Sequence, residues 1–308
     1  MAGVTDGLAV SFIMAEQQKT TVVNQPKCGL AELKKVINSE RMKQVFADML
    51  GKKSVGFLTS ISNIVTNNGL LQKAETPSIM LAAAQAAALD LPINPNLGYA
   101  AIVPYNDSKT KRCLAQFQIM RDGWVELALR TGQVVSIVNE PVYEGELVSR
   151  NRFKDEFVFD ETKRASDKVI GYMAYIKLIN GFEKTVYMTA DECKAHALRY
   201  SQTYKKGFGV WVDNFDAMAL KTVLKKLIKK YCPKSIEMNR ALESDNASFQ
   251  GDINDPENAQ PVFTDDNPLD VTAEVVELDP ESLPTAEAQP APAPTPEPQP
   301  TANNEPDF

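Results

Sequence analysis

The chain has 308 residues, 44% of them apolar and 24% charged, with a formal net charge of −7. No apolar run reaches the ~18 to 20 residues of a membrane-spanning helix. The opening MAGVTDGLAVSFIMAEQQKTT places no basic stretch ahead of its apolar patch at Leu8–Met14, so it does not read as a secretory signal.

The acidity is confined to one end. Of the 40 Asp and Glu residues, 16 lie from Glu243 onward, where Lys and Arg are absent. Residues 1–242 keep 24 acidic against 33 basic side chains, a net of +9. A basic body of this kind suits a polyanion, usually nucleic acid. Cys28, Cys113, Cys193 and Cys232 are far apart, with no Cys-x-x-Cys pair. Reduced thiols in a cytoplasmic protein are therefore expected, rather than a zinc site or a disulfide frame.

Residues 1–28 read as a flexible N-terminus. In LAELKKVINSERMKQVFADML, Leu33, Val36, Ile37, Val45, Phe46 and Met49 recur at spacings of three and four, which predicts helix, and Phe57 to Val65 continues the style. Thr76-Pro77 offers an N-cap and then a proline at the first helical position, opening SIMLAAAQAAALDL; Pro92 and Pro95 close it. LGYAAIVPY and CLAQFQI predict strands around the polar loop NDSKTKR, and GWVELALRTGQ a short helix ended by Gly132. VVSIVNEPVYEGELV, FVFDE, VIGYMAYIKLI and TVYMT alternate as strands, with Asn180-Gly181 turning the last two into a hairpin. Two helices follow, Ala190 to Tyr200 and one from Asp213, its N-cap, to Tyr231. After Arg240 the composition shifts to Pro, Ala, Asp, Glu and Asn, and PAPAPTPEPQP cannot supply a core. The expected fold class is α+β, with helices packed on a central antiparallel sheet over residues 29–242 and a disordered acidic tail over 243–308.

The stretch KTVLKKLIKKYCPK carries the densest charge. On a helix from Asp213, Phe215, Met218, Leu224, Leu227, Ile228 and Tyr231 share one side, while Lys221, Lys225 and Lys229 form an i, i+4 row on another, with Lys226 and Lys230 beside it. Like charges so spaced repel by about a few tenths of a kcal/mol each. A merely solvated face would normally interleave acids, and none occurs between Asp216 and Glu237. The row therefore reads as a phosphate-contacting surface, since lysines are flexible point charges suited to backbone rather than base recognition. Lys109, Lys111 and Arg112, Arg121 and Arg130, and Lys205 and Lys206 could extend it. Tyr99, Trp124, Tyr204 and Trp211 could stack on bases, although for each aromatic a place in the core is the simpler expectation.

Enzymatic motifs are sparse. His196 is the sole histidine and lacks a Ser or Cys signature beside it, and no G-x-x-x-x-G-K-[ST] loop exists. The best alternative is a Mg²⁺-dependent nuclease built on Asp155, Asp160, Glu161 and Lys163, at a spacing chance often supplies.

Residues 41–65, 79–105, 116–133 and 211–235 resemble the RecT family of phage and prophage recombinases. The likeness runs from about residue 30 to 242. Gln116, Gln118, Gly123, Arg130, Gly132 and Gln133 match one block, Q-F-Q…G…E-L-A-x-R-[ST]-G-Q. Trp211, Met218, Ala219, Lys221 and Thr222 match the other, W…M-A-x-K-T. Asp122 stands where a cation is common and Leu220 replaces a lysine, so Asp122 is left out of the site.

The resemblance implies an ATP-independent, non-catalytic protein that needs no cofactor, binds and anneals single-stranded DNA in recombination and repair, assembles as rings or filaments, and works with a 5′–3′ exonuclease. Its core implies a Red beta/RecT-like fold. Candidate DNA contacts are Arg130, Lys221, Lys225, Lys226, Lys229, Arg121, Arg112, Lys111, Lys205, Lys206, Gln118 and Trp211, with no metal ligand and no catalytic residue among them. A plain single-strand coating protein is the third reading. The acidic tail could compete with loosely bound DNA or dock a partner. Its EPDF terminus, faintly like those of bacterial single-strand-binding proteins, makes a host protein of that type a candidate, though a solubilising role is simpler.

Overall fold

The computed structural model describes residues 29–107, 110–151 and 153–263. The expectations for residues 1–28, for Cys28 and Lys109, and for the tail from residue 264 lie outside them.

Helices α1 (Leu30–Ile37), α2 (Glu40–Leu50), α3 (Ser54–Thr66) and α4 (Thr76–Ala88) come first. The first two were expected as one run. They separate because Ser39 turns extended and caps α2, its hydroxyl accepting from the Met42 N–H. In α4 Pro77 sits in the first turn, where a missing N–H costs nothing; the cap residue is Glu75 rather than Thr76. Ala82, Ala83, Ala84, Ala86 and Ala87 are all buried, so this helix lies close against the strands beneath it.

Those strands are β1 (Ala100–Asn106) and β2 (Cys113–Ile119), an antiparallel pair registered Ile102 to Phe117. Their Ala100, Ile102, Ala115, Phe117 and Ile119 side chains join the core with α4. Next come α5 (Arg121–Arg130), β3 (Val134–Tyr143), β4 (Leu147–Asn151), β5 (Glu156–Phe159), β6 (Val169–Leu178) and β7 (Glu183–Thr189). The strands β3, β6 and β7 form a second antiparallel sheet, and β4 and β5 a separate hairpin. Helix α6 (Ala190–Tyr200) has the expected bounds, with Thr189 and Glu192 closing a capping box.

Short helices α7 (Gln202–Lys205) and α8 (Val210–Asp213) precede α9 (Phe215–Tyr231). The expected start at Asp213 shifts because Asn214, at φ −135 and ψ 57, breaks the helix there. Val223, Leu224, Leu227 and Ile228 of α9 are fully buried. Each contributes roughly 1.5–3 kcal/mol on burial, far above the few tenths lost to each lysine repulsion, so the helix forms despite its charge. The Tyr172 hydroxyl of β6 donates to Asp216 at its start. Burial, then that carboxylate, pushes the phenol pKa well up.

The largest departure concerns residues 243–263, which composition assigns to the tail. Helix α10 (Ile236–Ser244) leads into β8 (Ala247–Gln250) and β9 (Gln260–Val262), which extend the first sheet in the order β1-β2-β8-β9. Ala247, Ser248 and Phe249 are buried there. Some acids of this stretch serve local structure: Asp252, for example, accepts from the Asn254 N–H at 2.8 Å. The fold is α+β as expected, helices packed on antiparallel strands, and among the described residues those strands form three sheets.

Candidate nucleic-acid interface

The face of β1 and β2 turned away from α4 is open. On it Ala101 pairs with Gln118 and Val103 with Gln116, and all four line a cleft of about 830 Å³ shared with α9. The Gln118 amide donates to Gln116 Oε1 at 3.0 Å, and the Gln116 amide to the Asn246 carbonyl at 2.5 Å. The row Lys221, Lys225 and Lys229 runs along this cleft, with Lys226 beside it.

These lysines differ. Lys225 forms an ion pair with Asp245, whose side chain is wholly buried and also accepts from the Ile119 N–H at 2.7 Å and the Asn246 amide at 2.9 Å. The Lys225 ammonium also lies 5.6 Å from the centroid of the buried Trp124 ring. Lys221 reaches Met120 Sδ at 3.5 Å. Burial, together with neighbouring Lys225, lowers its pKa below that of an ordinary lysine, although Asp245 opposes the shift. Lys226 and Lys229 are exposed and, among the described residues, have no carboxylate within ion-pair distance.

A second cavity of about 540 Å³ adjoins the first and shares Met188, His196, Tyr200 and Lys226 with it. It adds Lys230, expected beside the lysine row, and Arg150 and Arg199, which were not anticipated. A legible signal existed: His196, Arg199 and Tyr200 are spaced i, i+3, i+4 on one helix and fall on one face. Burial, then the charges of Lys226, Lys225 and Arg199, holds the His196 imidazole below its usual pKa. Of the cavity's acids, Glu192 caps α6 and Asp155 is tied to Lys184 at 3.3 Å and the Tyr231 hydroxyl at 3.1 Å.

Of the other candidate contacts, all but Trp211 lie outside both cavities. Arg130 is a structural clamp: it pairs with Glu126 at 2.9 Å and donates to the Leu89 and Asp90 carbonyls at 2.7 and 3.0 Å, satisfying the end of α4. Arg112 is held by Glu75 through both carboxylate oxygens, and Arg121 by Asp122 at 3.1 Å. Lys111 occupies a left-handed turn position at φ 58, while Lys205 and Lys206 are exposed at and beyond the end of α7. Trp211 does line the larger cavity, but it is only 6% exposed and packs edge-on to Phe215 at 5.7 Å. Gly123 has a packing reason for lacking a side chain, since a Cβ there would come within 2.1 Å of the Tyr99 carbonyl oxygen.

The carboxylates of the nuclease alternative are engaged separately. The Asp160 carboxylate caps the turn after it, accepting from the Thr162 N–H and hydroxyl, while Asp155 is held by Lys184 and Tyr231. Among the described residues no three His, Cys, Asp or Glu are grouped to hold a metal. Cys113, Cys193 and Cys232 are unbridged, and burial pushes the last two thiols up to about 11. No described helix is long and apolar enough to cross a membrane.

The RecT family model matches residues 56–261, a span that takes in β8 and most of β9. A Bacillus subtilis (strain 168) protein, "Uncharacterized protein YqaK", is 43% identical over 239 residues, 77% of this chain and 80% of that protein. Protein RecT of Escherichia coli (strain K12) is 29% identical over 178 residues, 57% of this chain and 65% of its own length. The family match covers well over half of the 308 residues, and with it the cleft and the helix of lysines. The chain belongs to the RecT family of single-strand annealing and recombination proteins.

Proposed function

We propose that this chain anneals complementary DNA strands without ATP, using the cleft between the β1–β2 face and α9 to bind the sugar-phosphate backbone. The observation that carries this is the lysine row. Four lysines of one helix line a single cleft whose one carboxylate among the described residues, Asp245, is buried and already bound to Lys225. Lys226 and Lys229 are left to meet phosphates, and the uncharged Gln116 and Gln118, bonded to each other, line the cleft with them. Such a surface releases condensed counterions and lowers the repulsion between two polyanions. Contacts confined to the backbone leave recognition of sequence to base pairing. No bond is broken, so no catalytic residue or cofactor is required. Successive subunits along a strand, as a ring or filament, would turn single contacts into an avid array. The family resemblance supports this assembly and a partner 5′–3′ exonuclease in the cytoplasm.

The test is a fluorescence assay of two complementary strands with full-length protein, Mg²⁺ and no nucleotide, alongside gel analysis of strand length. Faster duplex formation with intact strands supports the proposal. Slower pairing would indicate a coating protein, and shortened strands a nuclease.

A further inference from the structure

The two adjoining cavities differ in chemistry. Lysines dominate the larger one, whereas the smaller brings Arg150 and Arg199 together with the rings of Phe157, Tyr187, Tyr200 and Tyr231. Lysine ammonium groups suit phosphates; guanidinium planes and aromatic faces suit bases as well. At the junction stands Tyr200, a residue 51% exposed although its ring sits 4.6 Å from His196 and 5.3 Å from the Arg199 guanidinium. Deeper in, Phe157 and Tyr187 lie 5.6 Å apart, with the Arg150 guanidinium 5.6 Å from Phe157. The acids there are occupied, Glu192 by the α6 cap and by Arg150 at 3.9 Å, Asp155 by Lys184 and Tyr231. The volume, about 540 Å³, is that of a small-ligand site rather than of a groove for a duplex.

We propose that the smaller cavity is an unpaired-base subsite, taking one base of the bound strand out of its stack onto Tyr200 while Lys226 and Arg199 hold the adjacent phosphate. This rests on reading the larger cavity as the strand's path. Lys226 lines both cavities, so a backbone following the lysine row passes the mouth of the smaller one. His196, kept neutral at physiological pH by burial and by the surrounding cations, supports the Tyr200 ring without adding charge. Stacking accepts any base, because each has a π-face, so the site discriminates single strand from duplex rather than one sequence from another.

Full-length protein is titrated with an oligonucleotide and with the same backbone carrying tetrahydrofuran abasic residues throughout. The expected result is that the base-bearing strand binds roughly tenfold tighter, as for one stacked base. Tyr200→Ala should bring that strand down to the abasic affinity and Tyr200→Phe should keep the advantage. Quenching of 2-aminopurine in the strand should be lost with Tyr200→Ala. Equal wild-type affinity for the two strands, or a Tyr200→Ala effect of the same size on both, overturns the subsite while leaving strand binding intact. Failure of both strands to bind overturns the strand path together with the subsite.

Discussion

Lys225 and Asp245 form an ion pair that ties the basic helix α9 to the residue where the chain leaves α10 for β8. Because Asp245 also accepts from the Ile119 N–H, one carboxylate joins three parts of the fold. Removing it strands a cation and a backbone donor together. Asp245→Ala should destabilise the protein by about 3 kcal/mol in chemical denaturation, and Asp245→Asn, which keeps the acceptor for Ile119, by less.

Among the described residues Lys226 and Lys229 have no ion-pair partner, whereas Arg130 is committed to the end of α4. Replacing both lysines with Ala should reduce the slope of log affinity for single-stranded DNA against log salt by about 1.4, the value for two phosphate contacts. Arg130→Ala should leave that slope alone and cost about 1–2 kcal/mol of stability, because two carbonyls lose their donor. A reduced slope for Arg130→Ala would return that residue to the interface.

Gly123, in the first turn of α5, lies against the Tyr99 backbone with no room for a methyl group. Gly123→Ala should force α5 off the strand and lower stability by about 2 kcal/mol. Thermal melting should report that loss, and DNA affinity measured below the melting range should change far less.

His196 titrates below its ordinary 6.5 in the folded chain, chiefly through burial. As pH falls through 6.5 the unfolded chain takes up a proton that the folded chain resists, so stability is full above that pH and declines below it. His196→Phe should flatten the dependence of unfolding free energy on pH between about 7 and 5.5. An unchanged dependence would place the titration elsewhere.

Legibility in the sequence followed the strength of local patterns. The eleven residues of α6 carry a capping box and appear with the expected bounds, and the Asn180-Gly181 turn closes β6 onto β7 as its residue types require. The i, i+4 spacing of Lys221, Lys225 and Lys229 is a local property too, and it placed all three in one cleft. Asp245 and Asn246 were missed because their partners are far away in the chain. Strands of four and three residues, such as β8 and β9, offer no alternation to detect, and their acidic neighbours resemble the tail beyond. Arg130 shows the converse limit. A family block preserves residues that support the fold and residues that touch a ligand alike, and only the hydrogen bonds to Leu89 and Asp90 separate the two.

The closing strand pair also governs how the chain can be made or cut. The Asp245 carboxylate and the Ile119 N–H it binds are 126 positions apart, so during synthesis β2 waits, one edge unpaired, until almost all of the described chain has emerged. A protein ended at residue 242 would keep every lysine of the row yet present that raw edge to its neighbours, an invitation to intermolecular pairing. Any fragment meant to isolate the body should therefore run through Phe263.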